Sequence, residues 1–295
     1  MDEQDWLAVR FEENRGHLRG VAYRMLGSLS EADDAVQESW MRLSRSETRE
    51  VKNLGGWLTT VVARVCLDML RSRKARREEA LDAPAPGAVG NREAGLDPEQ
   101  EALLADSVGL ALLVVLEKLA PAERLAFVLH DIFAVPFDEI ASIVGRTPAA
   151  ARQIASRARR RVQGSPPPGA DLTRQREVVN AFLAAARAGD FNALLAVLDP
   201  DVVHRGDRVV APPHGMEVRG ASKVAKGATA YSRNAGMAPQ PHLLLVDGAV
   251  GVAVAPLGRL ARIVLFTVVD GKITEINVIA DPERLRELDL ALFEE

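Results

Sequence analysis

Six side chains in one short stretch have the types and the spacing to read DNA. Ala149, Arg152, Gln153, Ser156, Arg157 and Arg160 follow the dipeptide Thr147-Pro148. At about 100° per residue, Ala149, Gln153, Ser156 and Arg160 share one side of a helix, flanked by Arg152 and Arg157. Ala151, Ile154, Ala155, Ala158 and Val162 share the opposite side, which packs. Gln and Arg pair bidentately with adenine and guanine edges in the major groove. Small Ala149 lets the backbone approach closely at the end of a recognition helix that meets the bases. The bland alternative is a helical hairpin with a solvated basic face.

Two more clusters lie upstream. Asp33, Asp34, Gln37 and Glu38 crowd together beside Trp40 and Arg42, a pattern that suits a protein-docking surface better than a merely solvated acidic face. Trp57 opens a segment carrying Arg64, Arg71, Arg73, Lys74, Arg76 and Arg77. Cations along a helix make sequence-independent phosphate contacts, and a nearby aromatic can stack on unpaired bases. Taken alone, a tryptophan such as Trp57 is more often a core residue.

The elements that hold these groups are helical up to residue 164. Phe137, Ile140, Ala141 and Val144 form one apolar stripe, Gly145 ends it, and Thr147 caps the next helix with Pro148 at its first position. Leu125, Val128, Leu129 and Ile132 supply the packing stripe ahead of this helix-turn-helix. Further upstream, Leu18, Val21, Met25 and Leu26 form a stripe that Gly27-Ser28 breaks. Ser30 with Asp33 three residues later is a capping-box signal for a helix over 31–43. Leu58, Val61, Val62, Val65 and Met69 mark a long helix that ends in the basic run through Arg77.

The chain of 295 residues holds several domains, and its net charge of −4 is uneven. By segment it is −4 over 1–50, +4 over 51–80, −5 over 81–120, +3 over 121–164 and −2 over 165–295. Two basic segments inside an acidic chain suggest two separate DNA contacts. The single cysteine, Cys66, sits in an apolar run and reads as core filler, so no disulfide or Cys-rich zinc site within the chain is expected; no metal site or cofactor is assigned. No signal peptide is evident, and the longest apolar run, Val108–Leu116, is too short to span a bilayer, so a cytoplasmic protein without membrane contact is expected.

Three folded parts are expected: 1–79, 101–164 and 171–295. Linkers fill 80–100, rich in Ala, Pro and acidic groups, and 165–170, built around Pro166-Pro167-Pro168. Beyond the second linker the pattern changes to helices at 173–188, a short one before Asp199-Pro200 and another over 220–233, followed by strands at 242–246, 249–255, 260–269 and 272–279. Asp247-Gly248 and Asp270-Gly271 are hairpin dipeptides, and Asp281-Pro282 starts a last helix. Helices followed by an antiparallel meander make a separate α+β domain.

Tyr23-Arg24-Met25-Leu26-Gly27-Ser28 with Asp33-Asp34-Ala35-Val36-Gln37-Glu38-Ser39-Trp40 resembles region 2 of sigma-70-type RNA polymerase sigma factors, as does Asn53-Leu54-Gly55-Gly56-Trp57-Leu58 through Arg77. The helix-turn-helix, with Leu116–Arg124 ahead of it, resembles region 4. Having these two regions alone points to the extracytoplasmic-function class. The resemblance implies two all-α domains, core RNA polymerase and promoter DNA as partners, and promoter recognition in transcription initiation. It implies that Asp33, Asp34, Gln37 and Glu38 dock on polymerase, and that the polar stretch 44–52 captures a flipped base. Asn53, Trp57, Arg64, Arg71, Arg73 and Lys74 are then expected on the melted downstream element, and the helix from Pro148 on the upstream duplex.

Residues 171–290 resemble the SnoaL-like family, which implies an α+β cone with a curved antiparallel sheet. Some sigma factors with this extension carry a Trp-Leu-Pro-Glu-Pro linker motif and an Asp-Gly-Gly-Gly-Arg motif. Here Leu81-Asp-Ala-Pro-Ala-Pro86 and His204-Arg-Gly-Asp-Arg208 stand instead, so that subgroup's regulatory contacts do not carry over. His204, Asp207, Arg208 and Tyr231 are candidates for a pocket or for a docking loop. No catalytic residue is assigned, and the third domain is expected to regulate in cis rather than act as an enzyme. Two other readings stay open: a ligand-sensing helix-turn-helix regulator that works without core polymerase, and a SnoaL-like enzyme. A small-molecule ligand of the C-terminal domain is a candidate partner, and no anti-sigma partner is assigned.

Overall fold

The computed structural model describes residues 3–45, 53–80, 109–164, 171–234, 241–256 and 259–293. By density of contacts the chain divides into two compact units, Met1–Gly109 with Leu119–Arg160, and Leu110–Lys118 with Arg161–Glu295.

The first unit is all helical. Its elements are α1 (Glu3–Leu26), α2 (Leu29–Leu43), α3 (Leu54–Ala80), α5 (Pro121–Phe127), α6 (Phe137–Val144) and most of α7 (Pro148–Gln163). The helix α4 (Leu110–Glu117) lies in the second unit. Leu18, Val21, Met25, Ala32, Val36, Leu58, Val62 and Cys66 are buried where α1, α2 and α3 pack on one another. The core-filler reading of Cys66 fits its full burial, which pushes its thiol pKa up.

Gly27, at φ 71°, ends α1. Ser28 is then extended and accepts the Glu31 N–H, so Ser28 caps α2, not Ser30 as the capping-box pattern suggested. The turn is tighter than the sequence signal implied, and the first residue after it already has the backbone a cap needs. Two arginines from distant elements cover the free carbonyls at the end of α1. Arg124 of α5, itself buried, donates to Met25 O at 2.9 Å, and Arg73 of α3 donates to Leu26 O at 3.3 Å. Positive charge there also suits the negative end of the helix dipole.

α5 runs into a π-helical turn, Val128–Ile132, whose last residues deliver Phe133 to α1. The Phe133 ring meets His17 edge-on at 5.1 Å between centroids, and the Arg24 guanidinium lies 5.1 Å from its centre. The two sigma-like segments therefore pack on one another within one unit, with α3 also contacting α5 and α6.

In the second unit, α8 (Leu172–Ala188), α9 (Phe191–Val197) and α10 (Ala221–Asn234) lie on one face of a seven-stranded sheet. The strands are β1 (Leu198–Gly206), β2 (Met216–Arg219), β3 (Pro241–Val246), β4 (Ala249–Val254), β5 (Arg262–Val269), β6 (Lys272–Ile279) and β7 (Leu290–Ala291), in the order β2-β1-β6-β5-β4-β3-β7. The last helix, α11 (Pro282–Glu287), is capped by the Asp281 carboxylate. The core of this face includes Val179, Phe182, Leu194, Val252, Phe266 and Ile276.

The four predicted strands and both hairpin turns are in place, with Asp247, Gly248, Asp270 and Gly271 all at positive φ. Such paired left-handed residues match the twist of the flanking strands. The sheet is mixed, however, not purely antiparallel, because β1 runs parallel to β6. β1, β2 and β7 carried no strand signal of their own: β1 contains Pro200 and Gly206, and β7 is two residues long. Neighbouring strands, not local propensity, recruit them.

Candidate promoter-reading and polymerase-docking surfaces

α7 separates its two faces cleanly. Ala151, Ala155, Ala158 and Val162 are buried, and Ile154 is partly buried. Ala149, Arg152, Gln153, Ser156, Arg157 and Arg160 are all exposed. Small alanines at the buried positions let α7 sit close to its neighbours, which leaves the long polar side chains on the outer side. The preceding α6 ends at Gly145 in the left-handed conformation, φ 69°, and Thr147 Oγ1 accepts the Ala150 N–H at 3.2 Å. The Arg152 guanidinium lies 5.5 Å from the Phe137 ring centre, and Arg159 pairs with Asp131, so Arg159 is committed within the fold.

α3 is less clean. Trp57, Arg64 and Arg71 recur every seven residues, about 20° short of two full turns, so they form one stripe. Trp57 is partly buried, and Arg64 and Arg71 are exposed. Arg64 also donates to Ser142 O of α6 at 3.4 Å. Lys74 is exposed.

Two residues expected on DNA also make contacts within the fold. Asn53 precedes α3 and its Oδ1 accepts the Gly56 N–H at 3.0 Å, an N-cap. Arg73 lies 200° around the helix from Arg71 and so points the other way. It ion-pairs with Glu31 of α2 besides covering Leu26 O. In the sequence the run Arg71–Arg77 looks uniform; only the packing of α1 and α2 against one side of α3 distinguishes its members. Of the flipped-base stretch, residues 46–52 lie outside the described residues, and so do Arg77's side chain and both linkers over 81–100 and 165–170.

On α2, Asp34 and Gln37 are exposed, whereas Asp33 and Glu38 are partly buried and engaged. Arg19 Nε lies 2.7 Å from Asp33 Oδ1, and Arg42 Nε 2.9 Å from Glu38 Oε1. Trp40 is only partly exposed and tilts against Phe11 at 5.1 Å. Sequence reasoning passed over three exposed apolar side chains of the same helical unit, Trp6 and Val9 on α1 and Met41 on α2. Their signal was a large apolar residue on the polar side of an amphipathic helix.

In the second unit, His204 on β1 is partly buried, and burial lowers its pKa. Burial alone would raise the pKa of Asp207, but its carboxylate accepts N–H groups from Ala280, Asp281, Val210 and Val209, which lower it further than burial raises it. A carboxylate saturated by four backbone donors is a loop fastener that ties the end of β1 to the end of β6, and is a poor proton acceptor. Arg208 is exposed in the adjacent turn, and Tyr231 falls within α10. An open groove of about 490 Å³ is lined by Leu195, Leu198, Pro200, Arg219 and residues 220–223, a set that does not include His204, Asp207 or Arg208. Among the described residues no cluster of metal-binding side chains occurs, and no helix is long and apolar enough to cross a membrane.

Comparison with known proteins bears on these surfaces. The family model for Sigma-70 region 2 matches residues 10–76, and that for Sigma-70, region 4 matches residues 109–162. The chain is 39% identical over 286 residues to the ECF RNA polymerase sigma factor SigJ of Mycobacterium tuberculosis, covering 93% of this chain and 91% of that protein. It is 34% identical over 291 residues to the same organism's probable ECF RNA polymerase sigma factor SigI, covering 98% of each. The crystal structure of SigJ aligns at 36% identity over 94% of this chain and 97% of that one, with a TM-score of 0.47.

Proposed function

We propose a two-part promoter reader from one premise: the chain belongs to the extracytoplasmic-function RNA polymerase sigma factors. As such it binds core RNA polymerase and promoter DNA and directs transcription initiation.

In our reading, Gln153 and Arg152 contact base edges of the upstream element, while Arg157 and Arg160 hold phosphates. Trp57, Arg64 and Arg71 contact the melted downstream strand, the tryptophan by stacking and the arginines by charge. Asp34 and Gln37 are the free half of the polymerase-docking face, and Asp33 and Glu38 shape it through their ion pairs. Tethering both DNA contacts on one polymerase gives avidity through effective concentration, so neither needs high affinity alone. The observation that carries this reading is the complete separation of α7 into a buried alanine face and an exposed Gln/Arg face.

The third domain regulates in cis. The saturation of Asp207 by backbone donors favours this over an acid/base site. The domain's ligand-sensing and enzyme readings have no such support.

Run-off transcription with core polymerase, from a library of randomised promoters, tests the reader. Core-dependent transcripts whose upstream preference changes in Gln153→Ala support it. Promoter binding without any core-dependent transcript would sink it.

A further inference from the structure

α4 stands at the start of the segment matched by region 4, yet by contact it belongs with the C-terminal sheet. Its sequence, Leu-Ala-Leu-Leu-Val-Val-Leu-Glu, is apolar all round. Leu113, Val114, Val115 and Leu116 are each buried to within 2%. Four consecutive residues cover most of a helical turn, so such a helix needs partners on most of its sides. It packs against β3 and β7. There Leu244, Leu245, Val246, Leu290 and Ala291 are buried as well.

The helix is also fastened at its end. Lys118 Nζ donates to Arg286 O at 2.9 Å and to Leu285 O, two carbonyls at the end of α11. These are groups a helix cannot satisfy itself, at the negative end of its dipole. Asp247 and Asp289 add negative charge around the ammonium, and they are tied together by Asp247 N–H to Asp289 O and Asp289 N–H to Asp247 Oδ1, both at 2.9 Å. The same edge holds the close of α7: Leu292 N–H donates to Val162 O at 2.7 Å.

We propose that the β3–β7 edge with the C-terminus of α11 is a docking surface whose occupant is α4 of the same chain. The C-terminal domain is thereby a structural component of region 4, not an appendage hung behind it. Removing the domain strips an apolar helix of its cover, so a truncation after Gly164 reports lost support for region 4 as well as lost regulation. The inference rests on the assignment of residues 109–162 to region 4 and is independent of whether the domain regulates.

Hydrogen exchange on the full-length chain tests it. In Lys118→Met and in Leu290→Ser, amides 113–119 are expected to exchange about tenfold faster, while amides of α5, α6 and α7 up to residue 160 keep their protection. In Ala151→Gly, α7 is expected to loosen and 113–119 to stay protected. Protection of 113–119 that follows Ala151→Gly and ignores Lys118→Met overturns the proposal. If Leu290→Ser unfolds the sheet, Lys118→Met decides alone, because it leaves the sheet's apolar core intact. Exchange at α4 and core-dependent transcription are read separately, so failure of this docking and failure of the promoter-reading assignment are distinguishable.

Discussion

α7 and α3 both carry arginines expected on DNA, yet the fold treats them differently. On α7 all six candidates are exposed on one side. On α3 and at its cap the candidates divide: Asn53 caps, Arg73 clamps α1 and α2, Arg64 touches α6, and Trp57 is partly buried. α7 packs through alanines, so its long side chains lie on the outer side, where Arg159 pairs with Asp131 and Arg152 lies over Phe137. α3 is packed by α1 and α2 along its length, and the same cations that suit phosphate also suit exposed helix ends and carboxylates. Exposure alone therefore sorts the candidates on α7, whereas on α3 the hydrogen bonds and ion pairs of each side chain must be read as well.

The sharpest way to break this contrast is Arg73→Ala. It removes a partly buried ion pair and the cover of Leu26 O, and should cost about 2–3 kcal/mol of stability, visible in urea unfolding. Unchanged stability with lost transcription would return Arg73 to the DNA-contacting set. Gln153→Ala tests the other side. It should leave the unfolding midpoint alone and change upstream base preference by about 1–3 kcal/mol at one position, read by competition binding of the polymerase holoenzyme. A fall in stability instead would mean that α7's outer face is also structural.

Asn53→Ala should destabilise by about 1 kcal/mol through the lost cap, and Asn53→Asp should restore stability. If Asp rescues folding but not transcription, Asn53 serves both roles. The smallest expected effect is on acidification. His17, whose Nε2 lies 3.0 Å from Thr59 Oγ1 of α3, has a pKa lowered by burial and then by Arg24. The folded state thus prefers the neutral ring. Its contribution is complete above about pH 6.5, the unfolded value, and is lost as pH falls through the lower folded one. Protection against hydrogen exchange near the start of α3 should therefore fall below about pH 6.5 more than protection in α7, and His17→Gln should flatten that difference.

How much was legible follows the same division. The turn Gly145-Arg146-Thr147-Pro148, the alanine face of α7 and the two Asp-Gly hairpins are local, and each took the conformation that its own residues prefer. The acidic helix was legible as a cluster, but the pairing of Asp33 with Arg19 and the tilt of Trp40 on Phe11 were not, since their partners lie on α1. β1, β2 and β7 were illegible because their strand character comes from neighbours distant in the chain.

By itself the sequence determined the helix-turn-helix, the order of the sigma-like segments, the uneven charge and the presence of an α+β domain after them. All of these rest on periodicity, capping and turn chemistry within a few residues. Only the tertiary structure decided which cations make contacts within the fold, that Asp207 is fastened by backbone N–H groups, and that α4 belongs with the C-terminal sheet. Those outcomes depend on which carbonyls and carboxylates from remote elements are left without partners, and no local pattern encodes that.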